Sequence, residues 1–162
     1  MNIMLPVDGS ALSLEAVHYA IRLVRDGLKA EFLLANVQAP SSLYELVVVH
    51  DPEALRRVAL EAGEHCVAQA DALLSEAGIS HETDIASGNP EHTLVDLIES
   101  SGCDAVIMGA HGEGESDASI GSVAQALLRA SPVPVMIVRS QRPAEASEPD
   151  ASIEESESDS SL

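Results

Sequence analysis

Short apolar runs alternate along this chain with longer stretches in which apolar residues recur every three or four positions. The runs are Ile3 to Val7, Glu31 to Val37, Ile79 to Ala86, Asp104 to Met108 and Val133 to Val138. Each has strand length, and most lack the polar alternation of a half-exposed strand, which is the pattern of a parallel sheet covered on both faces. Between them, Leu14, Val17, Ile21, Val24 and Leu28 place one stripe on a helix that Gly27 closes. Asp51-Pro52-Glu53 is a helix start with a capping Asp and Pro in the first turn. The helix it opens runs to Ala77, with Leu55, Ala59, Ala62, Cys66, Leu73 and Ala77 near one face and Gly78 as its stop. Asn89-Pro90 opens another, bearing Leu94, Leu97 and Ile98, and the last begins near Gly121-Ser122.

Strand and helix therefore alternate as βαβαβαβαβ, which predicts an α/β fold with a doubly wound parallel sheet of five strands and four helices. Ile79 to Ala86 alternates more than the others and suits one edge; Pro134 sends the last run to another edge. Residues 38 to 50 carry both a turn signal at Pro40-Ser41-Ser42 and an apolar run from Leu43 to Val49, and are assigned as irregular.

Beyond Arg139 the composition changes. Residues 141 to 162 hold Glu145, Glu148, Asp150, Glu154, Glu155, Glu157 and Asp159 against Arg142, with many serines and few apolar side chains. Such a segment cannot offset its ordering entropy, so a folded domain over 1–140 and a disordered acidic tail over 141–162 are expected.

Charge narrows the classes of partner. With 27 acidic against 8 basic residues the formal net charge is −19, a field that repels nucleic-acid backbones and anionic lipid. No run approaches the roughly 20 apolar residues of a membrane span, and the start of the chain enters a strand without a basic leader, so a cytoplasmic location is expected. Cys66 and Cys103 lack CxxC spacing and read as buried free thiols.

Candidate chemistry gathers after the fourth run. Gly109, Gly112, Gly114, Gly121 and Ser122 form a glycine-rich loop between strand and helix, where backbone N–H groups and a helix N-terminus suit an anion. The spacing, G-x2-G-x8-G-S, is neither GxGxxG nor a P-loop, and no P-loop lysine is present. It resembles the G-x2-G-x9-G-[ST] pattern of the universal stress protein family, with the long spacer one residue shorter. Element order extends the resemblance over roughly residues 1 to 140.

That resemblance implies the strand order 3-2-1-4-5 of the adenine nucleotide alpha hydrolase-like fold, and a homodimer paired through the last strand at Val133, Val135 and Ile137. It implies a role in stress adaptation without an established catalytic step. In its nucleotide-binding branch, Asp8 and Val37 match positions that contact the nucleoside, and Gly109, Gly112, Gly121 and Ser122, with Val123 adjacent, match those that hold phosphates. The cofactor implied is ATP with Mg²⁺. Two readings stay open. Glu113, Glu115 and Asp117 stand where relatives often carry Arg or Lys, so the alternative is a protein-interaction module of the same fold that has lost the nucleotide. Asp8 has a second explanation as a turn residue capping the first helix. A hydrolase built on His111, Asp8 and Ser122 lacks the GxSxG elbow, and the remaining histidines show no metal-ligand spacing.

Overall fold

A computed structural model describes residues 1–39, 51–112 and 119–140. The strands are β1 (Asn2–Pro6), β2 (Glu31–Gln38), β3 (His81–Ser87), β4 (Ala105–Gly109) and β5 (Val135–Val138). The helices are α1 (Ala11–Arg25), α2 (Pro52–Glu76), α3 (Pro90–Ser100) and α4 (Ser122–Ala130). All five strands pair in parallel, in the order β3-β2-β1-β4-β5. The expected α/β fold, strand order and both edges are therefore observed. β2 runs one residue further than expected, to Gln38; the irregular assignment of 40–50 and the tail assigned to 141–162 lie outside the described residues.

Period-two alternation in the strands divides the core into two layers. Ile3, Leu5, Val7, Phe32, Leu34 and Ile107 pack with Val17 and Ile21 of α1 and Val67, Ala70 and Leu74 of α2. Met4, Leu33, Ala35, Val106 and Met108 face the other way, onto Leu94 and Ile98 of α3 and Ala124 and Leu127 of α4. Because both faces are buried, the strands needed no polar alternation, and the continuous apolar runs follow.

The stripe expected on α2 is displaced by one position. Its buried residues are Gly63, Val67, Ala70 and Leu74, whereas Ala62 is exposed and Leu55, Ala59, Cys66, Leu73 and Ala77 flank the stripe half-buried. Gly63 explains the displacement. A Cβ there would overlap Ile85 Cγ2 and stand 3.0 Å from Asn36 Oδ1, so the helix seats on β2 and β3 at the residue that has no side chain.

Strand β5 begins at Val135 rather than Val133, although the Pro134 carbonyl already accepts the Val106 N–H at 2.9 Å. Val133, Val135 and Ile137 turn their side chains onto the α3/α4 layer, while Met136, on the opposite face, is 43% exposed.

Candidate functional site

The chain opens a crevice where the direction of strand crossing reverses, between β1 and β4. β1 and β2 stay in register over five pairs, from Asn2↔Glu31 to Pro6↔Ala35. β1 and β4 pair at Ile3↔Ala105 and Met4↔Val106 and then part. Pro6 accounts for the parting. The Asp104 N–H donates to the Asn2 carbonyl on the β4 side, and the Val7 N–H donates to Ala35 on the β2 side. Alternation therefore turns residue 6 toward β4, where proline has no N–H to offer and the ladder ends.

The cleft so formed has a volume of about 330 Å³. Its floor and apolar wall come from Pro6, Val7, Ala35, Val37, Leu94 and Met108. Asp8, Gly109, His111, Gly112, Gly121, Ser122, Val123 and Ala124 complete its rim. Every position that the resemblance marked, Asp8, Val37, Gly109, Gly112, Gly121, Ser122 and Val123, is brought to this one cleft. Sequence reasoning missed Ser13, Pro90 and Leu94, which line it from α1 and α3; no spacing rule connects those helices to a loop after β4. Pro6 carried a signal that went unused, a proline inside an otherwise central strand.

Asp8 is held by the turn into α1 and lies close to the loop after β4. Its Oδ1 accepts the Ser10 N–H at 3.0 Å, an Asx-type turn that leads into α1, while Ser10 Oγ caps the helix by accepting the Ser13 N–H at 3.1 Å. Gly9 makes that turn at φ +82, the left-handed region that favours glycine. Its other oxygen faces Gly112: a Cβ at 112 would lie 2.7 Å from Asp8 Oδ2. The strand end behind Asp8 is fixed by Asn36, 3% exposed, whose Nδ2 donates to the Val7 carbonyl at 2.7 Å just past the last β1–β2 pair. Asn36 Oδ1 in turn accepts from Gln38 Nε2 at 2.7 Å. This buried amide carries the ladder one step further than the backbone does.

The glycines do different work. Gly109 lets α1 approach β4, since a Cβ would stand 3.2 Å from the Leu12 carbonyl oxygen. Gly121 gives its N–H to the Ala110 carbonyl at 2.8 Å and serves as N-cap of α4, but without a side chain to cap with. Ser10, Asp51 and Asn89 cap α1, α2 and α3 by accepting first-turn N–H groups; among the described residues α4 has no such cap. Its open N-terminus, with Ser122, Val123 and Ala124, lines the cleft. First-turn amides have no intrahelical acceptor, and the helix dipole adds roughly half a positive charge at that end. Chemically, the site pairs an apolar wall with an anion-complementary end. His111 Nδ1 lies 3.1 Å from the Gly112 carbonyl oxygen.

Among the described residues no group of three His, Cys, Asp or Glu side chains is placed to hold a metal ion, and no helix is long and apolar enough to cross a membrane. Cys66 and Cys103 are both free thiols, Cys103 buried and Cys66 partly so. Burial, and then the Asp104 charge, push the Cys103 thiol above its ordinary pKa.

Residues 1–139 match the universal stress protein family. Universal stress protein MJ0531 of Methanocaldococcus jannaschii is 27% identical over 139 residues, covering 85% of this chain and 81% of the relative. Among solved structures, a universal stress protein in complex with cAMP superposes with a TM-score of 0.65 at 23% identity, covering 87% of this chain and 98% of the other. An Arabidopsis thaliana universal stress protein family protein with AMP bound gives 0.64 at 19% identity, covering 93% and 97%. At such identities these two likenesses are of fold, whereas the family match spans all five strands. The chain belongs to the universal stress protein family.

Proposed function

We propose that this chain is a nucleotide-responsive regulator of stress adaptation that binds an adenine nucleotide in the cleft between β1 and β4, acts as a homodimer through β5, and performs no catalytic step of its own. One observation carries the reading: among the described residues, α4 is the helix whose N-terminus no side chain caps, and it opens into the cleft that also holds Asp8 and an apolar wall. Fold neighbours that hold AMP and cAMP support the ligand class. In this reading the base rests against Val37, Ala35 and Leu94, the ribose meets Asp8, and phosphate meets the first turn of α4. For ATP, Mg²⁺ would supply positive charge that no Lys or Arg supplies among the described lining residues.

The second reading, an interaction module without nucleotide, is favoured by one specific feature. Met136 leaves an exposed apolar side chain on an edge strand, a surface suited to a partner strand. Mass spectrometry of small molecules released from denatured, freshly purified protein, followed by calorimetric titration with ATP and AMP, separates the two. A released adenine nucleotide or micromolar binding supports the first reading. Neither release nor binding at millimolar nucleotide leaves the second.

A further inference from the structure

A second groove, of about 430 Å³, runs between α1 and the open edge of the sheet. Glu15, His18, Tyr19 and Arg22 recur at spacings of three and four on one face of α1 and line it opposite Met136 and Arg139. It shares no lining residue with the cleft between β1 and β4. β5 pairs with β4 on one side, and its other edge offers backbone N–H and C=O groups that no described strand takes.

In a chain of net charge −19 this groove differs in sign. Arg22 and Arg139 stand with one lining carboxylate, Glu15, and neither arginine forms an ion pair with any described residue. Tyr19 steadies Arg22 from behind, its ring centroid 4.9 Å from the guanidinium carbon. Met136 adds an exposed apolar side chain between the two cations' elements.

The same chain carries a segment of complementary pattern. Ile153, Glu155, Glu157 and Asp159 stand at every second position. Extended backbone sets alternate side chains on one side, so these four would share a face, with Glu154, Ser156 and Ser158 on the other. An apolar residue followed by three carboxylates answers an exposed methionine and two arginines. Fourteen positions separate Ile153 from Arg139, a reach of up to roughly 50 Å. The groove needs far less, since Glu15 to Arg22 spans about 10 Å along α1. A single exposed ion pair is weak. A tether of this length raises the segment's effective concentration to the order of millimolar, and three carboxylates then act together.

We propose that residues 153–159 of this chain dock along the free edge of β5, with Ile153 against Met136 and the acidic side chains on Arg22 and Arg139. Docked there, the segment covers the edge, and any partner strand, that of a second copy included, must displace it. The proposal goes beyond both readings above, because it needs no nucleotide and names what holds the edge in the absence of a partner.

Nuclear magnetic resonance of the full chain tests the contact. Glu155→Gln, Glu157→Gln and Asp159→Asn together should move the amide signals of Val135 to Arg139 and of the Glu15 to Arg22 face, while those of Asp8 and Gly112 stay in place. Added salt should move the same signals of the unsubstituted chain in the same direction. Identical β5 and α1 signals in the two proteins overturn the proposal. Arg22→Glu with Arg139→Glu should also release the segment, and adding Glu155→Lys, Glu157→Lys and Asp159→Lys should return it; failure of the reversed set to restore the docked signals refutes the charge pairing. Both arginines are exposed, so melting temperature should change by no more than a few degrees. Mixing isotope-labelled, tail-neutralised chain with unlabelled unsubstituted chain identifies the source. No change in the labelled signals is expected, and a return to the docked positions would assign the segment to a second copy and overturn docking within one chain.

Discussion

Gly112 lies against Asp8 so closely that a Cβ at residue 112 would stand 2.7 Å from the aspartate Oδ2. The two residues belong to the loops that leave β1 and β4, so their contact measures the width of the crevice between those strands. Asp8 cannot simply swing aside, because its other oxygen holds the Ser10 N–H at the entrance to α1.

Gly112→Ala therefore forces Asp8 from its turn or widens the crevice. Since the displaced atom is the end of a surface-accessible side chain, the cost in stability should be below about 1 kcal/mol. The rise in melting temperature on adding AMP should shrink or vanish, while the ligand-free melting temperature changes little. A thermal-shift titration checks both, and an undiminished rise would separate Asp8 from the ligand.

Two opposing effects meet at Gly63. In a solvated helix, Gly→Ala gains about 1 kcal/mol. Here the added methyl collides with Ile85 Cγ2, on a side chain stiffened by branching, and crowds Asn36 Oδ1. Overpacking of that kind costs roughly 1–3 kcal/mol, so the net sign should be destabilising. Urea denaturation of Gly63→Ala reads the sign directly.

Asn36 satisfies the Val7 carbonyl at the end of the β1–β2 ladder. Asn36→Leu leaves that buried oxygen without its donor, a loss of about 1–3 kcal/mol, and frees the strand end that carries Asp8. Both chemical denaturation and AMP titration should register it. Equal stability in the variant would mean that water takes over the carbonyl.

His81 links stability to pH. Burial pushes its pKa down, but the Ile79 carbonyl on Nδ1 and the Asp71 carboxylate on Nε2, each at 2.9 Å, outweigh burial and hold it above the ordinary histidine value. A folded pKa above the unfolded one means stability that is fully present below about pH 6.5 and lost as pH rises through the raised folded value. The effect is small because Asp71 is half exposed and screened. Stability measured from pH 6 to 8 should fall slightly, and Asp71→Asn should flatten the slope; a slope unchanged by that substitution would acquit the pair.

The β5 edge is best challenged at Met136. A charge at Val135 would enter the α3/α4 layer and confuse folding with association, whereas Met136 is 43% exposed on the other face. If β5 is the dimer edge, Met136→Asp should shift the protein to monomer in sedimentation velocity without lowering its melting temperature by more than a few degrees. A monomer already in the unsubstituted chain would discard the β5 dimer.

Sequence alone determined the alternation of strands and helices, because that follows from local periodicity and from punctuation such as Asp51-Pro52 and Asn89-Pro90. It also marked the two loops that meet, through the glycines after β4 and the Asp8-Gly9-Ser10 turn after β1. Strand order came from family resemblance, since periodicity is silent about which strands are neighbours. Tertiary structure decided the rest, for reasons of distance. The seat of α2 at Gly63 depends on Ile85 and Asn36, both remote in the chain, so the apolar count placed its stripe one residue off. Pro6 opens the crevice only because alternation turns residue 6 toward β4, a direction set by register with two partners at once. Leu94 joins the cleft wall because α3 crosses the same face as α4. Local patterns are written in the chain as neighbouring residues, but a binding cleft is made of residues that only packing makes neighbours.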